Sequence, residues 1–129
     1  MAHLATIVFI IVGLVNLMPA VGVLGAARLE SLYALPMAGE DLLLLMRHRA
    51  ALFGVLGSFM VIAAFRVQWR MAAMVAGLVS MLSFVFLALP LDAHGAAVQR
   101  VFWVDVIASV LLLAGYWAST RNKSLPRPD

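Results

Sequence analysis

Cysteine is absent from the 129 residues, and charge is nearly as scarce, with Asp, Glu, Lys and Arg together making up 12% of the chain. Each shortage removes a class of chemistry. Without thiols there is no disulfide exchange, no thiolate nucleophile and no Cys-ligated metal. The three histidines, His3, His48 and His94, lack HxxH or HxxxH spacing, so no metal or haem motif is present. No Ser/His/Asp order, phosphate-binding loop or catalytic carboxylate pair occurs, so hydrolase and kinase chemistry has no support. The nine Lys and Arg residues are scattered and form no basic block of the kind nucleic acid requires. The sequence names no cofactor and leaves open whether the chain catalyses anything.

What fills the space is apolar. Hydrophobic residues make up 65% of the chain and the mean hydropathy is +1.07, whereas a soluble domain is about 45–50% apolar and about 25% charged. This composition belongs to an integral membrane protein. Four apolar runs, residues 4–24, 42–65, 71–89 and 101–118, each approach the roughly 20 residues a spanning helix needs. The expectation is an all-α membrane four-helix bundle, one transmembrane domain occupying the whole chain. The first run has no Lys/Arg-rich start and reads as a retained span, not as a removed signal peptide.

The breaks between runs carry ordinary punctuation. Gly25 ends the first run, and Pro36 and Gly39 precede Glu40 and Asp41, two acids suited to the positive end of the second helix. Residues 66–70, Arg-Val-Gln-Trp-Arg, form a tight polar connection, Pro90 ends the third run, and residues 92–95 make the last turn. In residues 26–35, Leu29, Leu32 and Tyr33 share a helical face opposite Arg28, Glu30 and Ser31. That pattern fits a short helix lying in the membrane interface; the alternative is an irregular loop. The eight methionines read as core or lipid-facing filler, and Trp69, Trp103 and Trp117 stand near span ends, as interfacial belts require. Alternating the spans puts Arg66, Arg70, Arg121, Lys123 and Arg127 on the side of the N-terminus, and Arg28, Arg47, Arg49 and Arg100 on the other. The positive-inside rule then makes both termini cytoplasmic, with a wider margin if Arg47 and Arg49 fold into the bundle.

The same alternation gathers the polar residues of the spans in one half of the membrane. Arg47, His48 and Arg49 lie near the outer end of the second span, Asp105 near that end of the fourth, and Asn16 about two turns inside the first. An arginine at the centre of a spanning helix costs about 2.5–3.5 kcal/mol on insertion scales, so these residues need partners. Ala50, Gly54, Gly57, Ser58 and Val61 form a small-residue stripe on the second span, and Arg47 continues it outward. Arg49 is about 200° round from Arg47, beside Leu52, Phe53 and Leu56. Phase therefore assigns Arg47 to the bundle and Arg49 to the headgroups, with His48 between them. On the fourth span Asp105 shares a stripe with Val101, Ala108, Ser109, Leu112 and Tyr116. Asp105 is the one acid inside a span, so an Arg47–Asp105 pair completed by Asn16 is the expected constellation. It is either an outward-opening ligand site between the first, second and fourth spans or an ion pair that fixes register.

Residues 16–19 (Asn-Leu-Met-Pro), 22–29 (Gly-Val-Leu-Gly-Ala-Ala-Arg-Leu), Leu32-Tyr33 and 45–54 (Leu-Met-Arg-His-Arg-Ala-Ala-Leu-Phe-Gly) carry a resemblance. Together they resemble a family of small four-span bacterial inner-membrane proteins, with the RHRA-x-LFG run as its most specific part. Members are often labelled phosphopantetheine adenylyltransferase, but that soluble α/β enzyme needs an HxGH motif that this chain lacks. In layout the chain is also similar to DoxX-like and EXPERA-type four-helix membrane proteins, the latter binding sterols or other lipids between helices.

The resemblance implies a bacterial inner membrane. The residues themselves favour a lipid-like or quinone-like ligand held at Arg47, Asp105, Asn16, His48 and Arg49. An accessory subunit of a larger membrane complex, or a homo-oligomer, is the alternative. A proton-coupled exporter ranks last, because the first span offers Asn16 where such small exporters use a titrating Glu.

Overall fold

Proline decides where the first helix changes character. Pro19 has no N–H to donate back along an α-helix, and in the computed structural model the chain tightens there into a 3-10 segment. The structure describes residues 2–90 and 95–121, so Asp92, His94, Lys123 and Arg127 lie outside the described residues. The architecture is all-α, without strands among the described residues. The described residues form five α-helices in order: α1 (Ala2–Leu17), α2 (Ala26–Tyr33), α3 (Glu40–Phe65), α4 (Arg70–Ala88) and α5 (Ala96–Arg121). The 3-10 segment Met18–Leu24 continues α1, and a single 3-10 turn, Val67–Trp69, links α3 to α4.

Among the described residues, four stretches are long and apolar enough to cross a membrane: His3–Leu24, Glu40–Phe65, Val67–Ala88 and Ala96–Trp117. The chain is a multi-pass membrane protein with a four-helix bundle. The fourth stretch begins five residues before the expected start at Val101, because Gln99 N–H already bonds Gly95 C=O at 3.0 Å and the helix winds from Ala96. The short segment after the first span is helical, as the amphipathic pattern predicts. Leu29 is buried beneath it, Leu32 and Tyr33 are half-buried, and Arg28, Glu30 and Ser31 are exposed. Gly25, at φ +141°, makes the bend that turns the chain into α2, a conformation L side chains rarely adopt. The Glu30 carboxylate then accepts from Met37 N–H at 2.9 Å and ties α2 to the approach of α3.

The helices run up and down around a ring in the order α1, α3, α4, α5, each touching its two neighbours. Close approach of α1 and α3 sets the ring. A Cβ on Gly57 would stand 2.6 Å from Gly13 O and 2.8 Å from Leu17 N, so the two backbones meet without side chains between them. Small residues do this work in membranes, where burial of apolar surface gives helices little reason to associate. The expected stripe is therefore the α1–α3 seam, although Ser58 at its edge is exposed. The core fills the centre with Phe9, Val12, Met60, Met81 and Leu112, all buried.

The polar connection between α3 and α4 ends on a charge that is buried, not exposed as a connecting loop would leave it. Arg70 is 6% exposed and turns into the bundle at the end that holds Ala2 and Phe65. Its Nη2 donates to Ala64 O at 2.7 Å and to Thr6 Oγ1 at 2.8 Å, its Nε donates to Ala63 O at 3.4 Å, and Phe9 lies under the guanidinium. The last carbonyls of a helix have no intrahelical donor and carry its negative dipole end. Arg70 supplies that donor and that charge to α3, and through Thr6 it ties α4 to α1 across the ring. Arg70→Met is expected to lower stability by about 1.5–3 kcal/mol, the range for hydrogen bonds to a charged group. Thermal unfolding in detergent checks this, with Arg66→Ala, at an exposed position, expected to change little.

Candidate functional site

At the opposite end of the bundle the ring does not close. α1 gives way to its 3-10 continuation, α2 folds across the top, and a cavity of about 190 Å³ remains between α1, α2, α3 and α5. Asn16 and Pro19 line it from the first span, Tyr33 from α2, Arg49 and Phe53 from α3, and Arg100 and Asp105 from α5. A second, larger cleft of about 650 Å³ lies between α3 and α4. Its walls are apolar apart from Arg49, Ser80 and Ser83. Leu52, Val79 and Leu87 are exposed along it, so it opens sideways to whatever surrounds the bundle. Arg49 and Phe53 line both spaces and form the partition between them.

The roles expected of the two arginines are reversed. Arg47 is exposed, and its Nε donates to Val23 O at 2.9 Å; it makes no ion pair with Asp105. Its helical phase was right, since it does continue the Ala50–Gly57 seam, which packs on residues 13–22. At the level of Arg47, however, that partner ends at Leu24, so the side chain meets the open end of a 3-10 segment and satisfies a terminal carbonyl. Arg49 is half-buried instead. Its guanidinium carbon lies 5.7 Å from the Tyr33 ring centroid, 5.4 Å from that of Phe53 and 5.3 Å from that of Phe84. Aromatic faces attract a cation by about 0.5–2 kcal/mol, more when it is desolvated. They hold the flat guanidinium while leaving its N–H edge free for acceptors. His48 is exposed and lines neither space.

The other two expected residues meet at the cavity. Asn16 is 4% exposed, and its Nδ2 donates to Val12 O at 2.9 Å and to Met81 sulfur at 3.9 Å, bridging to α4. Its Oδ1 has no partner among the described residues. Asp105 is 8% exposed, and its backbone carbonyl accepts from Ser109 Oγ at 2.7 Å. Its carboxylate has no hydrogen bond or ion pair among the described residues. Among those residues, no group of three His, Cys, Asp or Glu is placed to hold a metal ion.

Sequence reasoning missed Tyr33, Phe53 and Phe84 as members of the site. A signal existed for two of them: Tyr33 lies on the apolar face of the amphipathic segment, and Phe53 is four residues from Arg49, one turn along the same face. Phe84 comes from another helix, and nothing local marks it. The Tyr33 phenol reports the electrostatics of the cavity. Burial raises it above its ordinary 10.0, the Arg49 charge pulls it back down, and the Asp105 charge pushes it up. Tyr33 is therefore neutral at physiological pH, with its O–H available to donate.

With Tyr116 replaced by Phe, ultraviolet titration is expected to show Tyr33 ionising above the normal tyrosine range. Arg49→Gln should raise it further and Asp105→Asn should lower it; no response to either change would separate these groups. Comparison with protein-family models, with curated proteins and with solved structures found no match.

Proposed function

We propose that this chain binds an amphipathic, lipid-like molecule, with the polar head in the inner cavity against Arg49 and the apolar tail in the cleft between α3 and α4. The observation that carries this reading is the position of Arg49. It is a half-buried cation without a hydrogen-bonded or ion-paired partner among the described residues, standing between an apolar cleft and a cavity whose wall also carries Asp105, Asn16 and Tyr33. A charge within a membrane-spanning helix that faces a cavity marks a ligand or ion path more often than a packing device. The lateral opening of the cleft gives a bilayer molecule a way in without crossing water. The 190 Å³ cavity is too small for a whole lipid and suits a head group.

The membrane we propose is a bacterial inner membrane, on the resemblance carried by residues 45–54. Arg70 and Arg49 turn into the bundle, which leaves Arg66 and Arg121, with Lys123 and Arg127 following in the sequence, to be counted against Arg28, Arg47 and Arg100. Four against three favours cytoplasmic termini and an outward-facing cavity.

Native mass spectrometry of the protein extracted in mild detergent tests the reading. Wild type is expected to retain bound lipid. Arg49→Gln should weaken retention about 10- to 100-fold, the loss of one or two charge-assisted hydrogen bonds, while helical content is kept. Arg47→Gln, outside both spaces, should retain lipid as wild type does. Equal retention in Arg49→Gln and wild type would remove the proposal.

A further inference from the structure

The inner cavity holds two opposite charges that do not touch each other. Asp105 is more than nine-tenths buried, lines the cavity, and its carboxylate has no partner among the described residues. Arg49 lines the same cavity and spends its faces on three rings, and no ion pair joins it to Asp105. Arg100, the third charge on the cavity wall, is exposed and reaches its rim. Only one cation and one anion are therefore desolvated there.

Uncompensated burial of either charge is costly. A purely anionic head group would answer Arg49 and leave Asp105 facing a second negative charge. A dipolar head answers both. We infer that the ligand's head group is zwitterionic, with an anionic oxygen on Arg49 and a primary ammonium on Asp105, as in a phosphoethanolamine head. This inference rests on the lipid-binding reading above and names the class of head group it takes.

The chemistry of each partner fixes the orientation. Arg49 presents several N–H donors in one plane, which match the oxygens of a phosphodiester. Asp105 presents acceptors only, which match the three donors of a primary ammonium. Asn16 adds an acceptor through Oδ1 and Tyr33 a donor, one for each end of the head group. A quaternary ammonium cannot donate to Asp105. The rings that would otherwise cage it, Tyr33 and Phe53, are already committed to Arg49. The phosphate lies toward the partition because Arg49 also borders the apolar cleft, where the tail leaves.

The test uses the full chain in detergent, titrated with phosphatidylethanolamine, phosphatidylglycerol and phosphatidylcholine of identical acyl chains and followed by native mass spectrometry. The ethanolamine lipid is expected to bind about tenfold or more tightly than either of the others, the worth of one charge-assisted hydrogen bond. Asp105→Asn, nearly the same shape without the charge, should abolish that preference and leave phosphatidylglycerol binding equal or stronger. Equal wild-type affinity for ethanolamine and glycerol lipids, or an undiminished preference in Asp105→Asn, would overturn the head-group inference. The wild-type comparison decides even where the variant fails to fold. If selectivity is absent while Arg49→Gln still weakens every lipid, the broader lipid-binding reading stands; if Arg49→Gln weakens none, both fall. Soluble glycerophosphoethanolamine binding as tightly as the whole lipid would keep the head-group chemistry and overturn a bilayer source.

Discussion

A guanidinium inside hydrocarbon needs acceptors that the bilayer does not supply, and the layout of this bundle follows from how two arginines meet that need. Arg70 meets it from within the fold. It takes the last carbonyls of α3 and the Thr6 hydroxyl, so a buried cation and a buried helix end satisfy each other. That closes one end of the bundle. Arg49, at the other end, finds rings but no acceptor among the described residues. The same residue type is thus internally complete at one end of the molecule and left open to a partner at the other.

The seam between α1 and α3 makes this asymmetry possible. Gly13 and Gly57 bring the two backbones together near mid-bundle, and Ala20 against Gly54 continues the seam outward. Past Pro19 the first span is a 3-10 helix, and it ends at Leu24 before α3 does. The space this leaves is roofed by α2, whose Tyr33 reaches Arg49. The incomplete ring at the Arg49 end follows from this early end of the first span, and the Arg70 end, where α1 runs its full length beside α3, stays closed.

Much of this was legible in the sequence, and the failures have physical causes. Four spans, a short amphipathic helix after the first, and the small-residue face of α3 all come from hydropathy and periodicity, which are local properties of the chain. The meeting of Asn16 and Asp105 follows from alternating the spans. The assignment of Arg47 inward did not survive, because helical phase gives the direction of a side chain but not whether a neighbour extends far enough to receive it. Arg70 was hidden for the converse reason. It stands at a helix start next to exposed Arg66, and only the neighbouring α3 terminus and Thr6 make it a buried residue. Phe84 belongs to the site solely through the tertiary placement of α4.

The site that emerges joins an apolar cleft open to the side to a small cavity whose wall carries Asp105, Asn16 and Tyr33, with one arginine at the threshold. Ser83 adds little polarity to the cleft, since its Oγ turns back to Ser80 O at 2.8 Å. The most direct test of this account is an experimental structure of the protein crystallised from a lipid mesophase without added ligand. The account requires head-group density within hydrogen-bond distance of the Arg49 guanidinium and continuous acyl density running out between Leu56 and Ser80. A cavity holding only water, with Arg49 turned to pair directly with Asp105, would contradict it.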